Sequence, residues 1–340
     1  MKISDKAKSI YKNSIVIDGQ LGFESAMPWS FLKKWELIDR YAKAGFHALT
    51  LSLANEETTI EKTFEYLAKV RKHILVNPEK YILAKTYEDV LRAKKENKIA
   101  LRLMFQGTSP IGKNLDLLEL FHELGVTSLV LAYNIRTPMG DGVIEESDSG
   151  LSHLGKTLIA EMNRLGIIID GSHTGFKTSM DALNLTTKPF VFSHSGVYCL
   201  APHVRNVRDE QIKSVAATGG VIGVNGLGIL LGDVNASIGK YVDHIDYITK
   251  LVGAQHVAIG LDNLYFANQF SEFMSQQGIT HPQAYASKVN NATLWKCLQP
   301  ENVIEVVEML LQRGYSENEI KGILGGNILR IMGYFSSCSN

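Results

Sequence analysis

The chain is short of the features that would mark most specialised proteins. Of 340 residues only three are cysteine, Cys199, Cys297 and Cys338. They are odd in number and scattered, so they give neither a disulfide framework nor a metal-binding spacing, and a reducing, cytoplasmic setting is expected. Lys plus Arg and Asp plus Glu both number 35, for a net charge of +0. Such a balance offers no electrostatic case for nucleic acid or for an anionic membrane surface. No uninterrupted apolar run is long enough to span a bilayer. The opening Met1-Lys2-Ile3-Ser4-Asp5-Lys6 has no apolar core, so no signal peptide is expected. There is no G-x-S-x-G nucleophile elbow. Gly223, Gly226 and Gly228 follow an apolar run, but their spacing is not that of a dinucleotide loop. No low-complexity tract or linker divides the sequence, which reads as a single domain over 1–340.

What remains is an alternation of short apolar runs with amphipathic stretches. Strand candidates are Ile15–Asp18, Ala48–Leu53, Ile82–Ala84, Ile99–Phe105, Ser128–Ala132, Ile167–Asp170, Phe190–Ser193, Val221–Val224 and Val257–Gly260. Most are apolar throughout, as strands buried on both faces of a parallel sheet are. Helices are predicted over Trp29–Lys43, Thr59–Leu75, Tyr87–Glu96, Leu115–Leu124, Gly155–Leu165, Asp209–Ala217 and Lys240–Val252, with further helices from Glu301 to Met332. Gly45, Gly125, Gly166, Gly219 and Gly253 each follow a helical pattern and precede a strand, the place of a C-terminal helix glycine. The order predicts an α/β fold on one parallel sheet, closed or doubly wound. Nine candidates imply one strand beyond eight, or one false assignment. The segment 263–300 is the least regular and carries Tyr265, Phe266, Phe270, Phe273, Tyr285 and Trp295. It reads either as a lid or a homodimer interface, or as extra helices on the rim.

The chemistry-bearing residues stand where the apolar runs end. Ile167-Ile168-Ile169-Asp170-Gly171-Ser172 runs into His173, Phe190-Val191-Phe192-Ser193 into His194, and Val257-Ala258-Ile259-Gly260-Leu261 into Asp262. In a parallel barrel the strand C-termini converge on the face that carries the chemistry. Two imidazoles and a carboxylate there suggest metal-assisted hydrolysis; the alternative is a set of satisfied polar groups at strand ends. Gln20, Gln106, Tyr133-Asn134 and Asn225 occupy corresponding positions. Arg205 follows His194 in the same loop, placed either to clamp a substrate carboxylate through a bidentate pair or to form a rim ion pair.

These residues resemble the membrane (renal) dipeptidase family. The similarity rests on Asn163-Arg164-Leu165-Gly166 through His173, on Pro189-Phe190-Val191-Phe192-Ser193-His194-Ser195, and on Arg205-Asn206-Val207. Ile15-Val16-Ile17-Asp18-Gly19 and Gly325-Gly326-Asn327-Ile328-Leu329-Arg330 extend it over nearly the whole chain. The resemblance implies a single amidohydrolase-type (β/α)8 TIM-like barrel with C-terminal helices, and cleavage of dipeptides with two zinc ions. It implies that His173 and His194 are metal ligands, that Arg205 holds the substrate carboxylate, and that Asp262 is the catalytic carboxylate. The first strand departs from the pattern, with Gln20-Leu21-Gly22 where the family has His-x-Asp. Gln106 replaces the bridging glutamate and Tyr133 a substrate-contacting histidine. The expectation is therefore one divalent metal, zinc, on His173 and His194 with Gln106 as a poor third ligand. Asp262 and Tyr133 would be catalytic, and Arg205, Tyr133 and Asn225 would bind a small substrate bearing a carboxylate. A metal-free enzyme and a non-catalytic binding protein on the same barrel are the alternatives.

Overall fold

The computed structural model describes residues 1–24, 30–263 and 296–336. Nine parallel strands are β1 (Ile17–Gly22), β2 (Ala48–Asn55), β3 (Tyr81–Leu83), β4 (Ile99–Gln106), β5 (Val126–Val130), β6 (Ile168–Asp170), β7 (Val191–Ser195), β8 (Val221–Asn225) and β9 (Val257–Gly260). Eight follow the path β1-β2-β4-β5-β6-β7-β8-β9, and β3 pairs only with the start of β4. The ninth strand expected from sequence is thus real, a short extra strand outside the eight. The two ends of the path meet where Asp18 Oδ1, from β1, accepts from the Leu261 N–H just after β9, at 2.8 Å. The result is a nearly closed barrel of the (β/α)8 type.

The apolar strands divide their residues between two cores. Leu49, Leu51, Leu101 and Leu103 face outward to the helices, with Tyr41, Leu67, Val70 and Phe121. Ala48, Ala100, Ile168, Val221 and Ala258 face the bore, which Ile328, Ile331 and Met332 of the helix Asn327–Ser336 help to fill. Both faces exclude water, which is why these runs do not alternate in sequence. The five glycines expected to end helices all have positive φ, between 76° and 103°, where a β-carbon would be strained.

The seven helices expected between residues 29 and 252 agree with the sequence pattern to within two residues at either end over the described residues; Asp209–Ala217 is unchanged, Lys240–Val252 begins at Ile238, and the last helix, expected to end at Met332, runs on to Ser336. The helix Phe176–Leu185 was not expected. Its Thr178, Ser179, Asp181 and Asn184 are weak intrinsic helix formers, and burial of Thr178, Ser179, Ala182 and Leu183 supplies what propensity does not. Most of the irregular segment 263–300, with the lid and homodimer readings placed on it, lies outside the described residues. Its two described flanks meet: Asn263 Nδ2 donates to the Leu298 carbonyl at 2.9 Å, and Leu298 N–H to the Gly226 carbonyl at 2.9 Å.

Gly223 on β8 shows how closely the strands of the bore approach one another. A β-carbon there would lie 2.0 Å from the Ser193 carbonyl oxygen on β7. Backbone cannot yield as a side chain does, so Gly223→Ala is expected to destabilise the protein by roughly 3 kcal/mol or more. Gly112→Ala meets nothing within 4 Å, though its φ of +55° adds a local strain of about 1 kcal/mol. Equal losses of stability in the two variants, measured by denaturant unfolding, would contradict this packing.

Candidate active site

The loop after β6 delivers His173, the end of β7 delivers His194, and the two rings meet. His173 Nε2 and His194 Nε2 lie 2.9 Å apart. Their other nitrogens are tied from behind. His173 Nδ1 is 2.8 Å from Asn134 Oδ1, an acceptor, so Nδ1 carries the proton. His194 Nδ1 is 2.7 Å from Ser193 Oγ, whose own proton goes to Asp170 Oδ2, so here too Nδ1 donates. Asp170 in turn is fixed by the Ser172 and Ser193 N–H groups at 2.9 and 3.1 Å. Both Nε2 atoms are therefore bare lone pairs pointed at each other. Charging either ring is opposed by burial first and by the Arg205 charge second, and both pKa values are held well below the ordinary histidine value. Two converging lone pairs that do not share a proton can serve a cation.

Backbone strain gathers at the same place. Among the described residues five non-glycines have positive φ, and three of them are Asn134, His173 and Asp262, at 67°, 66° and 50°. Such conformations persist only where the surroundings enforce them. Tyr133 stacks on the His173 ring at 4.1 Å between centroids, 27° apart in plane. Arg205 is buried and its Nη2 donates to the His194 carbonyl at 3.3 Å. Asp262 accepts from Asn225 Nδ2 at 3.2 Å, and Asn225 Oδ1 accepts from the Leu227 N–H at 2.7 Å. Both ends of that amide are engaged, so Asn225 orients Asp262. Burial raises the Asp262 pKa, while Arg205 and Asn225 pull it down.

Gln106 is tied by one end of its amide and free at the other. Its Nε2 donates to Glu24 Oε1 at 2.7 Å, and its Oε1 has no partner. Glu24 also accepts from Ser52 Oγ, and its second oxygen has none. Gln20 is fully buried with neither amide atom partnered. The Lys34 ammonium donates to the Glu24 carbonyl and to Tyr66 Oη, the latter at 3.1 Å. Around the ends of β1, β2 and β4 the protein thus gathers two neutral amides and a carboxylate already near a fixed cation. That donor set does not fit a second divalent ion, and among the described residues no group of three or more His, Cys, Asp or Glu side chains forms a metal site. The histidine pair does fit one ion completed by neutral or exogenous ligands. Glu24 was missed in the sequence, although it lies two places beyond Gly22 at the same parity as Gln20. Glu56, after β2, was missed as well. Its carboxylate accepts from Thr108 and Ser109 N–H at 2.9 and 3.0 Å and from Tyr133 N–H at 3.4 Å, tying three loops together.

Polar side chains gathered at the C-terminal strand ends of such a barrel mark the face that carries its chemistry. More narrowly, the chain belongs to the membrane dipeptidase family, peptidase family M19, whose profile matches residues 4–272. It is 29% identical over 285 residues to the dipeptidase aclJ of Aspergillus oryzae, covering 81% of this chain and 61% of that protein. The chain thus spans about three fifths of the length of the curated relatives it matches. An amidohydrolase structure from Pseudomonas aeruginosa superposes with a TM-score of 0.85 at 28% identity, covering 97% of this chain and 98% of that one. The probable dipeptidase PvdM from the same organism shares the fold, with a TM-score of 0.79 at 20% identity over 98% of each chain.

Asp18 gives the pH dependence of this frame. It is fully buried, and burial pushes its pKa from 3.8 up to about 7 despite hydrogen bonds from Leu261 N–H and Tyr41 Oη. The folded protein keeps a proton that the unfolded chain releases. The contribution is full below the unfolded value of 3.8 and is lost as pH climbs through the folded value. Between those limits the stability of the wild type relative to Asp18→Asn should fall by about 1.4 kcal/mol per pH unit. Urea unfolding of both proteins across the range measures it, and parallel stability curves would contradict it.

Proposed function

We propose that the protein is a dipeptidase-like amidohydrolase that cleaves an amide bond in a dipeptide or a small amino-acid derivative bearing a free carboxylate. The observation that carries the reading is the 2.9 Å approach of two imidazole nitrogens, each turned lone pair first by an acceptor behind it. His173 and His194 would hold one divalent ion, zinc, with Gln106 Oε1 as a neutral third donor. When bound, such an ion polarises a carbonyl and acidifies water.

The chain's own residues do the rest. Asp262 takes the proton of the attacking water and passes it to the leaving amine as the C–N bond breaks. Its raised pKa suits that exchange. Asn225 aims the carboxylate. Arg205 holds the substrate carboxylate through charge-assisted hydrogen bonds. Tyr133 is positioned by its stack on His173, and its hydroxyl donates to the developing oxyanion. The free thiols of Cys199 and Cys297 support a reducing, cytoplasmic setting. No helix among the described residues is long and apolar enough to cross a membrane.

Steady-state kinetics on dipeptides and N-acyl amino acids, with and without zinc, tests the reading. Asp262→Asn should lower kcat by at least about 100-fold, the scale of a general base, while substrate still binds. Retention of near-normal kcat would remove Asp262 from the mechanism. Tight binding of a carboxylate ligand with no turnover of any substrate would favour a binding protein. The pH profile gives a second check. Arg205 lowers the Asp262 pKa, so Arg205→Met should move the acid limb of kcat/KM to higher pH as well as raising KM. A limb that stays in place or moves to lower pH would contradict the electrostatic role of Arg205.

A further inference from the structure

Beneath the histidines, the bore of the barrel contains a buried charge that pairs with no carboxylate among the described residues. Arg102 lies on β4, four residues before Gln106 on the same face, and is 4% exposed. Its Nη1 donates to Thr50 Oγ1 at 3.2 Å and its Nη2 to Thr127 Oγ1 at 3.4 Å. Its Nε has no partner. Burial alone acts on its pKa, lowering it to about 10, and no carboxylate among the described residues contributes. The guanidinium therefore remains charged at neutral pH. Asp170 borders the same cavity, but its oxygens are taken by Ser172 N–H, Ser193 N–H and Ser193 Oγ.

A buried charge is compensated by losing its proton, by a protein counter-ion, or by a ligand. Arginine does not take the first route, and the described residues do not supply the second. The third has room. A cavity of about 30 Å³ adjoins Arg102, lined by Gly19, Thr50, Ser128 and Gly223 and by Ile328 and Ile331. That volume holds about two particles the size of water, so a small anion suits it. Water would bring dipoles only, whereas a halide brings the missing charge and accepts several N–H groups at once. We propose that this cavity binds one monatomic anion, chloride, against the Arg102 guanidinium. The site is separate from the substrate carboxylate's, and its occupant is part of the folded barrel.

The test is thermal unfolding of the full chain as chloride replaces gluconate at constant ionic strength. Binding to the folded state alone predicts a saturable rise in Tm of roughly 2–5 °C, absent in Arg102→Met. A linear drift common to both proteins, or a saturable rise that survives Arg102→Met, would overturn the proposal. Diffraction from wild-type crystals grown in bromide decides independently of how the variant folds. An anomalous peak within hydrogen-bond distance of Arg102 Nε supports the site, and a cavity without one overturns it.

Discussion

The site depends on one constraint: two imidazoles on neighbouring strands are held with their Nε2 lone pairs face to face. Neither ring chooses this arrangement alone. Asn134 fixes the tautomer of His173, and the Asp170–Ser193 pair fixes that of His194. Burial and the Arg205 charge keep both rings from protonating. Asn134, His173 and Asp262 all adopt left-handed backbone conformations, strain of the kind that functional sites concentrate. The barrel supplies the rigid strands that make the cost bearable.

The half of the site at the ends of β1, β2 and β4 is poor in metal ligands. Gln20, Gly22 and Gln106 offer at most neutral oxygens, and the carboxylate that enters the space, Glu24, sits beside the Lys34 ammonium. One ion at the histidine pair is the reading consistent with both halves. Aspartates deeper in the frame, Asp18 and Asp170, act as hydrogen-bond hubs, each collecting backbone N–H groups from an adjoining strand end.

Much of this was legible in the sequence. His173, His194 and Asp262 announce themselves because each ends an apolar run, and strand C-termini in a parallel barrel share one face. The helix-ending glycines were equally plain. Other parts depend on distances the sequence does not carry. Asn134 and His173 are 39 residues apart, and their pairing needs a left-handed turn at both. Glu24 lies two residues beyond the end of β1, and only the fold brings its carboxylate back to Gln106. Arg102 hid inside the run Ile99–Phe105, where one charge among apolar residues reads as a surface position until the strand is seen to be buried on both faces. The helix Phe176–Leu185 was lost to polar residues whose burial only tertiary packing reveals.

The most direct test of the account is metal content per chain, by elemental analysis of protein purified without chelator and then equilibrated with zinc and desalted. The account predicts one zinc per chain in the wild type and none in His194→Ala. Two tightly held ions would show that the amide-lined half of the site is a metal site after all. None, in a folded wild-type protein, would mean that the two facing lone pairs are not a ligand set.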